Sequence, residues 1–172
     1  MHSIKTGCSR ASPLPLVDTL NFAAMDVSSL LLETERFFHE KIPLTCAMGV
    51  RVEAFDQNQL ILTAPLEQNH NHLGTAFGGS LSALATLAGY GLLWLELENR
   101  DCHIVVRSSS ISYRRPVHGE LRAICHRPTD DAMAQFKDAF QGKNKARIVL
   151  RVTIEEAGHV CVEFEACYVA IR

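Results

Sequence analysis

No Asp, Glu, Lys or Arg stands between Glu67 and Glu96, and the stretch they bracket changes character halfway. Its first part is polar or glycine: Gln68, Asn69, His70, Asn71, His72, Gly74, Gly78 and Gly79. Its second part is apolar, with Leu81, Leu84, Ala85, Ala88, Leu92 and Leu95 recurring at helical spacing. Leu87 and Trp94 carry apolar character further round the cylinder, so a helix from Gly78 or Gly79 to about Leu97 is predicted to be buried on most sides. The apolar part falls short of the roughly 20 residues that a bilayer demands, which favours a core helix over a membrane span. Gly89 and Gly91 each cost about 1 kcal/mol of helix propensity against alanine. Glycines in that setting predict that a neighbouring backbone or a ligand passes close by.

The flanking segments predict what surrounds this helix. Ser28 or Ser29 caps a first helix that runs to about Lys41, with Leu30, Leu31, Thr34, Phe37 and Phe38 on one face and Pro43 ending it. Alternation from Met48 to Phe55, the turn Asp56-Gln57-Asn58, and Gln59 to Ala64 form a hairpin. Four more strand-like runs follow the central helix: His103 to Arg115, Glu120 to His126, Lys145 to Glu155 and His159 to Ile171. In the first of them Ile104 and Val106 share one face, and Val105, Ile111 and Tyr113 the other. A short helix from Asp130 to Gln141 interrupts the series and stops at Gly142. A helix buried on most sides needs a sheet that wraps it, so the fold class is α+β, with an antiparallel sheet around a long central helix.

At 172 residues the chain is read as one domain, residues 25–172, behind a weakly structured leader, residues 1–24. The leader has Lys5 and Arg10 but, with Pro13 and Pro15, no continuous apolar run of the kind a signal peptide carries. Met25 is itself a candidate start. A net charge of −2 and a pI near 6.4 argue against a nucleic-acid binder. The six cysteines show no C-x-x-C pair, and Cys125, Cys161 and Cys167 fall inside alternating strands. Reduced core thiols and a cytoplasmic location are the expectation.

The segment NHLGTAFGGSLSALATLAGYG, beginning at Asn71, resembles the hotdog-fold thioesterases: an Asn, a Gly-rich turn ending in His-Gly-Gly, then a long central helix. SYRRPVHGEL, Ser112 to Leu121, is similar to the family's strand-turn in which an aromatic and Arg-Pro precede a glycine. The likeness spans about Met48 to Ile171. FGGSL and the helix between the fourth and fifth strands look most like the thioesterase-type domain that some bacterial proteins carry behind an acetyltransferase domain. The resemblance implies a hotdog fold and a small-molecule acyl-thioester substrate, coenzyme A thioesters included, with no cofactor, metal, nucleic acid or membrane involved. It also implies a homodimer or dimer of dimers in which two protomers form each site.

Thioester hydrolysis places negative charge on the carbonyl oxygen, and backbone N–H groups at a helix N-terminus are aimed donors for it. The resemblance assigns that role to Gly78 or Gly79, and to Asn71 the placing of the carbonyl or of the attacking water. Without it, Gly78-Gly79 reads as a tight turn with close helix–sheet contact, and Asn71 as an Asx-turn residue. The family's catalytic carboxylate falls at Thr86, and Phe77 replaces its histidine. Threonine is no base near neutrality, and general-base catalysis typically contributes about 10²–10⁴-fold.

Replacement candidates are His72 and His70, which flank Asn71, then Glu67, with Ser82 and Thr86 as hydroxyls that hold a water. Glu96 and Glu98 lie at the wrong end of the helix. Two histidines with no third ligand make a poor metal site. Arg114 and Arg115 are candidates for the phosphates of a coenzyme A arm, with Arg107, Lys143, Lys145 and Arg147 behind them. Phe77, Tyr90 and Trp94 are expected to shape an apolar acyl tunnel along the helix. The two readings are thus a hydrolase and a non-catalytic acyl-thioester binding or sensing module. A hotdog dehydratase fits less well, since no Asp-x-Asn-Pro-x-x-His-like run lies on the helix.

Overall fold

A computed structural model describes residues 26–99 and 101–172. The leader, residues 1–24, and the candidate start Met25 lie outside the described residues. The elements run α1 Val27–Lys41, α2 Pro43–Met48, β1 Arg51–Phe55, β2 Gln59–Ala64, a 3-10 turn Leu66–Gln68, α3 Gly78–Leu97, β3 His103–Tyr113, β4 Leu121–His126, α4 Asp130–Lys143, β5 Lys145–Glu156 and β6 His159–Ile171. The six strands form one antiparallel sheet in the order β1-β2-β4-β5-β6-β3. The sheet curls around α3, the architecture of a hotdog fold.

Local chemistry explains the boundaries. Asp26, rather than Ser28 or Ser29, caps α1, its carboxylate accepting from the Ser29 amide at 3.0 Å. Pro43 ends α1 as expected, but it also begins α2, because proline at a first helical position gives up only an N–H that has no partner there. The alternation that begins at Met48 therefore becomes a strand only at Arg51. Gly142 does not stop α4, which ends at Lys143 with Asn144 in the left-handed region at φ 53°.

Eleven α3 residues are buried, from Leu81 to Leu95, and the nine that carry side chains form the core with the inner faces of β2, β4, β5 and β6. At 20 residues α3 is long and apolar enough to cross a membrane, so its length does not exclude a span as its sequence implied. Its burial within the sheet is what marks it as a core helix. Gly89 and Gly91 each face buried side chains of neighbouring elements. A Cβ on Gly89 would overlap the Tyr168 ring and hydroxyl, and one on Gly91 would stand 2.8 Å from Leu60 and Phe38. Trp94 is buried and stacks on Phe37 with ring centroids 4.4 Å apart, and Tyr90 leans on Phe38. These aromatic rings are core contacts.

Strand β3 departs from simple alternation. Val106 pairs with Tyr168 but Ser108 pairs with Cys167, so Arg107 is an extra residue, a β-bulge. The bulge reverses the parity of everything after it. Ile111 and Tyr113 consequently share the helix-facing side with Ile104 and Val106, opposite Phe164 and Val162, instead of lying across the sheet from them. Strand β3 is also an edge: one side bonds to β6, and the other meets no strand among the described residues.

Candidate active site

The turn that feeds α3 is held from below by a residue that pattern reading passed over. Asn69 is 1% exposed, and its side-chain amide donates to the Met48 and Pro65 carbonyls, each at 2.8 Å. Its own carbonyl accepts from the Phe77 amide at 2.7 Å. Asn69 thus fastens both ends of the glycine turn to α2 and to the end of β2. Sequence offered two asparagines, 69 and 71, in the same polar run and no means of ranking their burial.

Asn71 stands on the loop that Asn69 anchors. Its side-chain oxygen accepts from the amides of Leu73 at 2.8 Å and Thr75 at 3.3 Å, and its Nδ2 donates to Thr75 Oγ1 at 3.0 Å. This is an Asx turn, and it uses one of the two Nδ2 hydrogens. His70 bonds through Nδ1 to the Asn71 carbonyl oxygen at 2.8 Å, while His72 is exposed at the loop tip. Across the loop, Ala76 donates to the Val117 carbonyl and ties this segment to the Arg-Arg-Pro corner.

The first turn of α3 is built to leave donors open. Its N-cap residue is Phe77, which has no side-chain acceptor to offer. The amides of Gly78, Gly79 and Ser80 have no hydrogen-bond partner among the described residues, and the first intrahelical bond is Leu81 N–H to Phe77 O at 3.0 Å. Gly78 and Gly79 border a cavity of about 480 Å³ lined also by Ala76, Leu81, Tyr113, Arg114, Arg115 and Pro116. Phe77 is half exposed and folds its ring back over Gly79, where a Cβ would collide with it. Asn71, His72, Ser82 and Thr86 are not on the cavity wall.

Ser82 and Thr86 instead continue a stripe from Gly79 along α3 through Ala83 to Tyr90, at helical spacing, and this stripe is the partly exposed side of a helix otherwise buried. The hydroxyls of Ser82 and Thr86 have no hydrogen-bond partner among the described residues.

The arginines divide their work. The amides of Arg114 and Arg115 both donate to the Cys161 carbonyl, at 2.7 and 3.1 Å, where a bulge in β6 leaves that carbonyl free to take them. The Arg114 guanidinium is occupied by Glu163 at 2.7 Å. Arg115 has no ion-pair partner among the described residues, which leaves it as the available cation of the cavity rim. The turn after Pro116 is clamped by Glu156, which accepts from the His118 and Gly119 amides at 2.8 and 2.6 Å. Those bonds hold the Glu156 carboxyl below the usual glutamate range.

A larger groove of about 960 Å³ lies at the other end of α3, beside α4. Its chemistry opposes an anion. The α4 N-terminus there is capped by Thr129 and carries Asp130 and Asp131 in its first turn. Glu96, partly buried, is neutralised by Arg127 at 2.6 Å and Lys137 at 2.7 Å. Two of the described thiols are poor nucleophiles: burial pushes Cys125 up to about 12 and also raises Cys161. No three His, Cys, Asp or Glu side chains gather as metal ligands among the described residues.

Comparison with known proteins agrees with this architecture. Residues 31–172 match the family described as "Putative thioesterase (yiiD_Cterm)". A protein of unknown function from Chlorobaculum tepidum TLS is 37% identical, with a TM-score of 0.80 over 87% of this chain and 99% of that one. A Shewanella oneidensis protein described as a "putative thioesterase" is 28% identical, with a TM-score of 0.77 over 84% and 99%. A thioesterase from Haemophilus influenzae shares the fold at 17% identity, with a TM-score of 0.59 over 86% and 92%. The chain belongs to this hotdog-fold thioesterase family.

Proposed function

We propose that the protein is a cytoplasmic acyl-thioester hydrolase that acts on coenzyme A thioesters without a cofactor. The observation that carries the reading is the uncapped α3 N-terminus: three open amides, those of Gly78 and Gly79 beside a cavity with Arg115 on its rim. A thioester carbonyl oxygen directed at those amides meets the positive end of a 20-residue helix, where developing charge is stabilised as it forms. Water adds to the acyl carbon, the C–S bond breaks, and the products are a carboxylic acid and a thiol. The spare Nδ2 hydrogen of Asn71 and the hydroxyls of Ser82 and Thr86 lie off this cavity's wall, and would orient carbonyl and water where a second protomer completes the site. Arg115, with Arg114 beside it, suits a phosphate of the coenzyme A arm.

The reading includes a homodimer. Strand β3 presents 11 residues as an open edge, with Val105, Tyr113 and four serines exposed or half exposed along it. Such an edge is a template for another strand, and a second copy related by a two-fold axis pairs with it antiparallel. That partner would also cover the Gly79–Tyr90 stripe. The thiols of Cys125, Cys161 and Cys167 are free, in keeping with a reducing compartment.

The test is thiol release from a panel of acyl-CoA thioesters, across chain length and pH, with a dimer expected by light scattering. A protein that releases no thiol from any of them overturns the hydrolase. Thr86, at the position of the family's carboxylate, favours a second reading, an acyl-thioester binding module. Saturable binding of acyl-CoA without turnover would select it.

A further inference from the structure

Tyr113 is bonded to the peptide that the proposed chemistry depends on. Its hydroxyl donates to the Gly78 carbonyl oxygen at 3.0 Å, and its ring lies 3.4 Å from where a Gly78 Cβ would stand. That carbonyl shares one planar amide with the Gly79 N–H. Donation to the oxygen of an amide draws density away from its nitrogen, so the N–H at the other end becomes a stronger donor. The carbonyl has two lone pairs and takes this bond alongside the helical one.

The need for such a bond is local. Two consecutive glycines start α3, and Phe77 gives them no cap, so the helical bond to the Gly78 carbonyl is what the helix itself supplies to hold the Gly78–Gly79 peptide plane. Among the described residues Tyr113 is the one side chain that hydrogen-bonds to either glycine. It reaches them from the far end of β3 because the Arg107 bulge turns it to the helix side.

We propose that Tyr113 is a positioning residue that orients the Gly78–Gly79 peptide and strengthens the Gly79 N–H as the oxyanion donor. The proposal rests on the hydrolase reading, and its test separates the two. In Tyr113→Phe the ring stays and the hydroxyl goes. Loss of a whole oxyanion donor costs about 10²–10³ in kcat, so a weakened one is expected to lower kcat about tenfold with KM unchanged. The Gly79 amide proton resonance, read by NMR on the free protein, is expected to move upfield. A fluorinated tyrosine at 113 keeps the bond with a stronger donor, and the same resonance is expected to move downfield. A Tyr113→Phe protein with wild-type kcat, or a Gly79 resonance that ignores both replacements, overturns the proposal. If the wild type releases no thiol the hydrolase reading fails, and the resonance shifts alone decide whether Tyr113 polarises this peptide.

Discussion

The Tyr168 hydroxyl donates to the Thr86 carbonyl oxygen at 2.9 Å, and its ring fills the room that Gly89 leaves open. Tyr168 is fully buried on β6, and the bond crosses from sheet to helix. A side chain on the sheet thus holds the stretch of α3 that carries Thr86, and a glycine one residue short of Tyr90 makes the approach possible.

Gly89→Ala is expected to destabilise the protein although alanine is the better helix former. Propensity favours the change by about 1 kcal/mol. The new methyl overlaps a fully buried ring, and overpacking of a tight core costs typically about 1–3 kcal/mol or more. A net loss of about 2 kcal/mol in chemical denaturation is expected, and Tyr168→Leu in the same chain should recover part of it.

Asn69→Ala tests the anchor of the glycine turn. Two carbonyls, of Met48 and Pro65, lose their donor in a buried setting, which costs about 2–3 kcal/mol. Asn71→Ala removes bonds at a more open loop and is expected to cost about 1 kcal/mol or less. Thermal denaturation of the two variants is expected to rank them in that order.

Glu156 ties stability to acid pH. Its folded-state carboxyl lies below the ordinary value of 4.5, so its contribution is complete above that value and is lost as pH falls through the lower, folded one. In Glu156→Gln the proton-linked part is absent. The melting temperatures of wild type and variant are therefore expected to differ most near neutrality and to converge as pH falls well below 4.5.

Thr86→Asp places a carboxylate on the stripe that begins at Gly79. If the site lacks only a base, thiol release is expected to rise by about 10²-fold, within the usual range for general-base catalysis. An unchanged rate would show that Thr86 does not face the attacking water.

Much of this was legible before any coordinates. The start of α3 at Gly78 or Gly79, its end at about Leu97 and the order of elements along the chain follow from period and turn chemistry, because burial imposes both. Two kinds of fact were not. Alternation along β3 looks the same with or without a bulge, so the side on which Ile111 and Tyr113 emerge depends on pairing with β6. What fills the space beside a glycine is likewise a property of distant segments: Tyr168 beside Gly89, Phe77 over Gly79. Tyr113 was visible in the Ser-Tyr-Arg-Arg-Pro run as an aromatic, but its bond to Gly78 spans 35 residues and has no local signal.

The bulge at Arg107 makes pairing, rather than residue type, the decisive quantity in β3. Many side chains can occupy an exposed extra position on an edge strand. Were Arg107 to pair in regular alternation instead, the following residues would slide by one against β6 and Tyr113 would emerge on the outer face, away from the glycines, with every letter of Ser-Tyr-Arg-Arg-Pro still in place. Two chains could then read alike across that motif and still differ in whether a phenol meets the helix, a distinction held in how the strand pairs with β6 between His103 and Tyr113.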